Sequence, residues 1–557
     1  MTDAGGSAGA GDTGSFAPLR EPVFRNIWIA SLFSNLAQLV LGVGAAWEMT
    51  HLTTSASMVA AVQTALMLPL MLFAVPAGAI ADMFDRRKIA LSGLGFAIAS
   101  SALLTLLAYF GYTSPWLLLV FCVTIGAGVA IFIPSWQSSI REQVPAEQLP
   151  AAIALGSISY NIARSFGPAL GGVIVLAWGA KAAFNLTAIS YLPLFLAFLL
   201  WKRAHVPSRL PPERIDRAIL SGMRYAFHSS AIRRVLARSA CFGLGTASYS
   251  ALGALIAKDL LRGNAGTYGL LLGAAGVGAI AGALLIEPVI DGIGTEKALR
   301  WAALISAAAL VLMGLSNNLW LTAGAFFITG GGNILTVSLM NVAVQLAAPR
   351  WVTARALSLF TSALTGGLAV GAMIWGEVAS AWSIEVAMVA SGVVLLVVGS
   401  AGLLFPINDA ANGSLEPSEL GHEPNVALDI TLRSGPIVIE LEYRVDPAEA
   451  REFYGVMLKV QRIRQRNGGF SWSLARAIDD PWIWTERFEC PTWGDYLRLR
   501  DRSTLADGEV QAQALAFHSG DRLAVRRQLE RPFGSVRWRA ETPDPRQDTI
   551  GMFTPSP

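Results

Sequence analysis

The sequence predicts an all-α polytopic membrane protein built from two six-helix bundles, followed by a C-terminal α+β domain. Its 557 residues are 53% hydrophobic and 15% charged, and the mean hydropathy of +0.50 is too high for a soluble protein of this length. Apolar runs of about 20 residues, the length of a membrane-spanning helix, recur along the first 405 residues. Beyond them, strand and helix patterns alternate, which predicts a separate domain.

Twelve apolar runs are visible, in two sets of six. The first set lies near 24–47, 56–81, 88–110, 115–138, 149–178 and 182–201, and the second near 235–257, 266–290, 297–315, 318–345, 352–380 and 384–405. The break between the sets is polar and strongly basic. Since basic loops stay in the cytoplasm, we expect an inner-membrane protein with both termini inside the cell.

Domain boundaries follow from these changes in composition. The Gly- and Ala-rich start has no basic region and is typical of a tail rather than a signal peptide. We expect disordered tails at 1–17 and 541–557, helix bundles at 18–203 and 233–405, linkers at 204–232 and 406–434, and a cytosolic domain at 435–540.

The two sets of six helices are predicted to be copies of one another. Gly126 lies 19 residues before Pro145, and Gly330 lies 19 before Pro349, which is an offset of 204 residues. The same offset relates three further pairs of glycines: Gly78 and Gly282, Gly167 and Gly371, and Gly172 and Gly376. Such a parallel repeat predicts two bundles related by an axis along the membrane normal, with a substrate site between them.

A charged loop separates the second and third runs. Gly78 and Asp82 share one helix face, and three basic residues follow at 86–88. This pattern resembles the signature loop of the major facilitator superfamily, although Met83 and Asp85 stand where that superfamily usually has Arg and Gly. An ordinary positive loop is the alternative interpretation.

The resemblance implies that this loop takes part in gating. Its residues are Gly78, Asp82, Arg86 and Arg87. In the superfamily pattern the acid of the loop pairs with a basic residue at the inner end of the fourth helix. This position is Arg141 here, with Arg355 as a second choice.

The fifth run contains Gly167, Pro168, Gly171 and Gly172 within a helix interior. Proline removes a backbone hydrogen bond and glycine removes bulk, so this helix is expected to kink and to pack closely on a neighbour. The motif resembles the antiporter signature of major facilitator exporters, which implies efflux. A packing kink with no directional meaning is the alternative.

Arg164 lies one turn before this motif, well inside the span, where an unpaired cation is costly. Its expected partners are Glu48 in the first helix, Glu377 in the eleventh helix, or an anionic substrate. A fixed polar network is favoured over a dedicated substrate contact. The same two acids are the candidates for proton coupling.

Polar residues in the first, fourth, seventh and tenth helices are expected to line a central cavity. Gln137 maps onto Asn341 by the 204-residue offset, which suggests an amide clamp. Each side chain could instead hydrogen-bond between helices. With Arg164, the predicted substrate-binding residues are Asn35, Gln38, Gln137, Tyr249, Asn333, Asn341 and Gln345.

Nothing in the sequence indicates a cofactor or a metal site. The three cysteines and five histidines are scattered, and no phosphate-binding P-loop occurs. A net charge of +3 gives no indication of nucleic acid binding. Because no P-loop is present to bind ATP, the energy for transport is expected to come from an ion gradient, with the proton as the default ion.

The C-terminal segment predicts a ferredoxin-like βαββαβ domain. The expected strands are 437–443, 470–477, 482–488 and 536–539, and the expected helices are 447–466 and 493–502. Such domains often pair through their sheets, so a homodimer is a candidate assembly.

From about Phe16 to Arg531, the chain is similar to the transmembrane secretion effector family, the enterobactin exporter-like branch of the major facilitator superfamily. The C-terminal part of the resemblance rests on residues 442–445, 462–466, 486–488 and 495–498. The stretch around 495–498 departs from the family in one respect: relatives usually have a histidine there, and this chain has none. The resemblance implies a proton-coupled exporter of a small siderophore- or drug-like metabolite, and not an enzyme. An importer is the first alternative, and a membrane-anchored sensor or monooxygenase-like protein is the second.

Overall fold

The computed structural model describes residues 16–83, 85–202, 223–349, 352–401, 426–428, 430–520 and 522–530. Two compact units are present. The first comprises Met1–Ile219, Arg234–Ala343 and Leu357–Asp409, and the second comprises Leu220–Arg233, Val344–Ala356 and Ala410–Pro557. The predicted tail at 541–557, nearly all of the tail at 1–17 and most of both predicted linkers lie outside the described residues.

The first half of the helical unit contains the six predicted helices. They are α1 (Pro22–Leu52), α2 (Ala56–Met83), α3 (Arg86–Tyr109), α4 (Pro115–Ser139), α5 (Leu149–Trp178) and α6 (Ala180–Leu200). Helix α1 packs against α5 and α6, α2 packs against α4, and α3 packs against α4 and α6. The apolar runs therefore predict the helices to within a few residues.

The second half contains six further long helices. They are α7 (Ser230–Leu255), α8 (Ala265–Leu284), α9 (Thr295–Leu315), α10 (Leu319–Ala347), α11 (Thr353–Ala381) and α12 (Ile384–Ala401). A π-helical turn, Ile256–Leu260, extends α7. Ten of the helices described across both halves are long and apolar enough to cross a membrane.

One prediction in this half is wrong. The eighth run was expected to continue to residue 290, but α8 ends at Leu284 and a separate short helix spans Ile286–Ile293. The short helix contains Glu287 and Asp291 and presents an amphipathic surface, whereas α8 is uniformly apolar. The chain therefore leaves the apolar part of the fold near Leu285.

The repeat predicted from glycine spacing is present in the packing. A Cβ atom at Gly167 would lie 2.9 Å from Leu39 Cβ on α1, and one at Gly371 would lie 2.6 Å from the Leu244 carbonyl oxygen on α7. A Cβ atom at Gly126 would contact α2, and one at its counterpart Gly330 on α10 would contact α8. Equivalent glycines thus allow equivalent helices to approach closely.

The C-terminal domain is a four-stranded antiparallel sheet with helices. Its elements are β1 (Ile437–Arg444), α13 (Ala450–Asn467), β2 (Phe470–Arg476), β3 (Ile483–Cys490), α14 (Trp493–Asp501), α15 (Leu505–Ala516) and β4 (Ala524–Leu529). The strand order is β2-β3-β1-β4, so β1 is central and pairs with both β3 and β4. This is the ferredoxin-like arrangement predicted from the sequence.

The last strand was predicted in the wrong place. The structure has β4 at Ala524–Leu529 rather than near residues 536–539, which lie outside the described residues, and the helix α15 was not predicted. The side chains of β4 are almost all exposed. An edge strand with two exposed faces needs no alternation of polar and apolar residues, so it carries little pattern.

A buried carboxylate lies at the centre of this domain. Glu486 on β3 is fully buried, and Arg464 Nε donates a hydrogen bond to it at 3.0 Å. Tyr443 and Trp472 donate two more, at 3.3 and 3.1 Å. Burial lowers the pKa of Arg464, but its interactions with Glu486, Tyr443 and Tyr496 together outweigh this effect and the pKa is raised. The contact between Arg464 and Glu486 fixes α13 against the sheet.

We expect Glu486→Gln to destabilise the domain by about 3–5 kcal/mol, because Arg464 would remain buried without its counter-charge. The full-length protein in detergent would show faster tryptic cleavage within residues 437–529. Glu442→Gln is the matched control, since Glu442 is partly exposed and lies 3.7 Å from Arg526 in a solvated ion pair. Equal protease resistance of both variants would contradict the prediction.

Candidate functional site

The two helix halves meet along a seam between α5 and α8. A Cβ atom at Gly172 would lie 2.1 Å from the Cα atom of Gly269, so the two backbones are in contact. Further along, Gly273 meets Ala169, and a Cβ atom at Gly276 would lie 1.9 Å from the Ser165 carbonyl oxygen. Gly269 and Gly273, four residues apart on one face of α8, thus form the surface that closes this seam.

A second seam lies between α2 and α11, the helices that the repeat relates to α8 and α5. Gly376 is related to Gly172 by the repeat, and its Cβ atom would lie 2.6 Å from Ala60 Cβ. The Ser57 backbone N–H donates to Ser380 Oγ at 2.8 Å, and Thr64 Oγ1 donates to the Ala369 carbonyl oxygen at 2.9 Å. The halves are therefore joined on two sides by related contacts.

A third contact closes the same end of the fold. The Lys258 ammonium group, on the π-helical turn after α7, donates to the Thr50 carbonyl oxygen in the last turn of α1. Carbonyl groups in this position have no partner within their helix and carry partial negative charge. Close by, the Trp47 and Tyr268 rings stack with centroids 6.3 Å apart. This set of contacts is called the closed end below.

At the opposite end the seam is open. The α5 face that contacts α8 through Ser165 and Gly172 continues towards the start of the helix through Asn161 and Ile158, which are exposed. The matching face of α8 continues through Ile280, which is also exposed. The helices are therefore in contact over the half near the closed end and separate beyond Ser165.

The predicted cavity residues are distributed along these helices. Asn333 Nδ2 donates to the Tyr249 hydroxyl oxygen at 3.1 Å, which links α10 to α7. Gln137 is exposed and Asn341 is half-buried, and the proposed clamp between them stays a prediction. The remaining predicted side chains, at positions 35, 38, 164 and 345, are half-buried except for Gln345, which is exposed.

Arg164 lies where α5 begins to separate from α8. Among the described residues it makes no hydrogen bond or ion pair, so it is not paired with Glu48 or Glu377 in this structure, and the alternative of an anionic substrate stays a prediction. Helices α1 and α5 run with a constant register, because Gly167 meets Leu39 and the equivalent contact four residues on joins 171 to 43. Arg164 is therefore level with Asn35 and Gln38.

The same register explains why Glu48 is out of reach. It is level with position 176 of α5, which is 12 residues, or about 18 Å, from Arg164 along the helix. Glu377 is exposed near the closed end, one residue after the glycine that meets Ala60. Both acids thus lie near the closed end, whereas the cation lies at mid-helix.

The glycines of the antiporter-like motif divide between two neighbours. Gly167 and Gly171 face α1, where their Cβ atoms would lie 2.9 and 3.0 Å from Leu39 and Val43. Gly172 faces α8, as described above. Helix α5 continues through Pro168 without interruption. The motif therefore places one helix in close contact with its own half and with the other.

The charged loop before α3 fastens helix ends together. Asp85 caps α3 by accepting from the backbone N–H of Arg87 at 2.9 Å. Arg86 binds the Ser138 carbonyl oxygen and Glu142, each at 2.9 Å, at the end of α4. Arg87 donates to two carbonyl groups at the end of α6, one of them at 2.9 Å. The side chains of Gly78, Asp82 and Arg141 lie outside the described residues, so their pairing stays a prediction.

The second half has an ion-pair cluster that the sequence did not reveal. Glu296 in the first turn of α9 accepts from Arg238 on α7 at 2.7 Å and from Arg300 at 3.0 Å. Here an acid lies at the start of the helix and arginines bind to it. At the start of α3 the arrangement is the reverse, since arginines lie there and bind to acceptors on other elements. The spacing of Glu296 and Arg300 was visible, but nothing in the sequence indicated that Arg238 is their neighbour.

A polar hollow of about 560 Å³ lies at the closed end. It contains none of the predicted cavity residues. Hydroxyl groups and two carboxylates surround it, and its lining includes Thr54, Ser55, Asp259, Ser380, Ser383 and Glu385. Residues of both halves contribute, so the hollow is a second polar surface between them.

The architecture is that of a multi-pass transporter of the major facilitator type. The sequence matches the transmembrane secretion effector family over residues 13–532. The chain belongs to this family, whose members are transporters and not enzymes.

Several characterised or solved proteins are similar to this chain. The staphyloferrin A transporter of Staphylococcus aureus is 24% identical over 50% of this chain and 72% of its own length. The enterobactin exporter EntS of Escherichia coli is 23% identical over 68% of this chain and 90% of its own length. An inward-facing, unoccupied bacterial homologue of the human lysosomal transporter Spinster covers 70% of this chain and 97% of its own length, with a TM-score of 0.55 and 16% identity.

We expect Gly172→Ala to force α5 and α8 apart, because the new methyl group meets backbone rather than a flexible side chain. Overpacking of this kind costs about 1–3 kcal/mol, and the apparent Tm of the purified protein should fall. Gly324→Ala is the control, since nothing lies within 4 Å of its Cβ position. An unchanged Tm for Gly172→Ala would show that the seam is not tightly packed.

Lys258→Met keeps the length of the side chain but removes the bond to Thr50, so the closed end should open more often. Cysteines introduced at Ser57 and Ser380 would then be joined more slowly by a short bifunctional reagent. Lys297→Met, at an exposed lysine on α9, should leave the rate unchanged. If both variants cross-link at the parental rate, Lys258 does not hold this end closed.

Proposed function

We propose that this protein is a secondary active transporter that exports a small, anionic, siderophore-like metabolite by alternating access and proton antiport across the inner membrane. Its family membership and its similarity to an enterobactin exporter and a staphyloferrin A transporter support this proposal. The antiporter-like motif of α5 favours export over import. The basic residues at 86–88 favour a cytoplasmic location for the open end.

One observation supports the transport mechanism most strongly: the α5 and α8 faces are joined at one end and exposed at the other. With the basic loop inside the cell, the conformation described here is open to the cytoplasm. A substrate would enter between the halves at this end and reach Arg164. Separation of Gly172 from Gly269, with closure of the open faces, would then expose it to the other side.

Arg164 favours an anionic substrate. An arginine inside a membrane-spanning helix is costly unless it is paired. No carboxylate among the described residues pairs with it, whereas the amides of Asn35 and Gln38 lie at the same level of α1. A planar guanidinium binds carboxylate or catecholate oxygens in a bidentate manner, and neighbouring amides add donors.

Proton coupling is assigned to Glu48 rather than to Glu377. Glu48 is half-buried in α1 beside the closed end, whereas Glu377 is exposed on α11. A carboxylate that gains and loses contact with water as the closed end opens can change its protonation during the cycle. Proton uptake at Glu48 would accompany opening of this end.

Dimerisation through the C-terminal sheet is part of the proposal. The free face of the sheet carries Glu440 and Glu442 on β1, Arg487 on β3 and Arg526 on β4, with both signs of charge alternating between strands. A second copy of the same face can pair acid with base.

We expect Arg164→Gln to reduce export of an anionic substrate by at least tenfold, which corresponds to about 1.4 kcal/mol. Arg164→Lys keeps the charge but not the planar fork, so it should retain partial transport. The measurement is metabolite profiling of spent medium from cells with and without each variant, followed by uptake into inverted vesicles. Equal export by Arg164→Gln and the parent would exclude Arg164 as a substrate ligand.

Deletion of residues 420–557 separates transport from the rival hypothesis of a sensor or enzyme. Export should persist if the helical unit does the work. Loss of activity with a correctly inserted helical unit would instead assign the function to the C-terminal domain. Variants at Gly167, Gly171 and Gly172 test direction, because they should raise cellular retention of an exported compound and lower accumulation of an imported one.

A further inference from the structure

A short helical segment before α7 belongs to the same compact unit as the C-terminal domain. It spans residues 223–228 and is called the strap below. In sequence the strap belongs to the connection between the two helix halves, more than 200 residues before β1. Its contacts with the C-terminal domain therefore join two distant parts of the chain.

Tyr225 is the anchor of the strap. Its side chain is only 2% exposed, and burial raises its pKa to about 12. The Arg466 guanidinium at the end of α13 lies over its ring, 5.3 Å from the centroid. Arg466 is held in place by an ion pair with Asp507 of α15, which is also buried. The aromatic ring thus occupies a socket whose cation is already fixed.

Arg224 adds a second contact at the same place. Its Nη1 atom donates to the Gly468 carbonyl oxygen at 3.2 Å, just beyond the last turn of α13. Arg502 binds the adjacent Asn467 carbonyl oxygen at 3.4 Å. Helix C-termini present carbonyl groups without helical partners and attract cations. The strap therefore completes the C-terminal cap of α13.

The aromatic side chain on the opposite face of the strap is not buried. Phe227 is 54% exposed, and His228 is exposed beside it. The strap is thus held through one face only. Phe227 offers a matched control for Tyr225, since both are aromatic and lie two residues apart.

The strap is joined to α7 by a short, hydrogen-bonded junction. The Ser229 N–H donates to the Tyr225 carbonyl oxygen at 2.9 Å, and the Arg233 N–H donates to the Ser229 carbonyl oxygen at 3.0 Å. Arg233 Nη1 also donates to the Phe227 carbonyl oxygen at 3.3 Å. Only Ser229 is non-helical between the strap and α7. The strap is therefore almost continuous with the start of α7.

We propose that the C-terminal domain is a brake on the transport cycle, which it exerts by holding the strap. Helix α7 leads to Tyr249 and to Lys258, whose bond to Thr50 helps to close one end of the fold. By holding the strap, the domain would limit movement at the start of α7, and release of the strap would favour opening of the closed end. The inference rests on the proposed alternating-access function, and it assigns the C-terminal domain a regulatory role within it.

The test uses the full-length protein in liposomes, with Cys241→Ser to remove the exposed thiol, since Cys122 and Cys490 are buried. Ala60→Cys places a thiol in the closed end, where Ala60 is fully buried. Labelling by a membrane-impermeant maleimide from the closed-end side then reports opening. We expect Tyr225→Ala to raise the labelling rate about fivefold or more, the lower range of allosteric couplings, and Phe227→Ala to leave it unchanged.

A second measurement shows whether the strap has been released. Trypsin should cleave after Arg224 faster in Tyr225→Ala than in the parent, while resistance of residues 437–529 to trypsin shows that the domain is still folded. Arg224→Gln, which removes the contact with Gly468 together with the tryptic site, should give an intermediate rate of labelling. A released strap with parental labelling of Ala60→Cys would overturn the proposal, and so would equal effects of Tyr225→Ala and Phe227→Ala.

Failure of the brake is distinguishable from failure of the transport function. If Ala60→Cys in the parent is not labelled either with or without a proton gradient, the closed end does not open and alternating access itself is excluded. If the parent responds but the strap variants match it, transport stands and the brake is excluded.

Discussion

Backbone contact between α5 and α8 is the constraint on which the helical unit depends. Lipid offers no hydrophobic force to bring helices together, so their attraction must come from close packing. Glycine at positions 172 and 269 removes both Cβ atoms at the tightest point, and Gly276 does the same further along. At the second seam Gly376, which the repeat relates to Gly172, lies against Ala60. Two smooth surfaces without interlocking side chains can separate at low cost, which suits halves that move.

Polar contacts fix the helix ends while the smooth surfaces join the halves. Arg86 and Arg87 bind carbonyl groups at the ends of α4 and α6, and Glu296 collects two arginines at the start of α9. These contacts lie within one half or the other. Each half is therefore stiffened internally by charges and joined to its partner mostly by packing, which is the division of roles that rigid-body motion requires.

The helices, the repeat and the class of the C-terminal domain were predictable because each leaves a regular pattern of residues in the sequence. Apolar length gives the spans, and the 204-residue offset of glycines predicts which helices approach closely. The distance between Arg164 and Glu48 was not predictable, because it depends on the register of α1 against α5, which sets Glu48 about three turns away. The closure by Lys258 and the Tyr225 socket were missed for the same reason, because each depends on distant neighbours rather than on local sequence. Strand β4 was missed because its exposed side chains carry no alternation of polar and apolar residues.

The bond from Lys258 to Thr50 has no copy in the other half, because the repeat carries Lys258 onto Thr54, which has no charge. A parallel repeat with its axis along the membrane normal would place two copies of each such contact, one on either side of the axis. This contact is single, so the closed end is held from one side: the second half supplies the cation and the first half supplies the helix terminus.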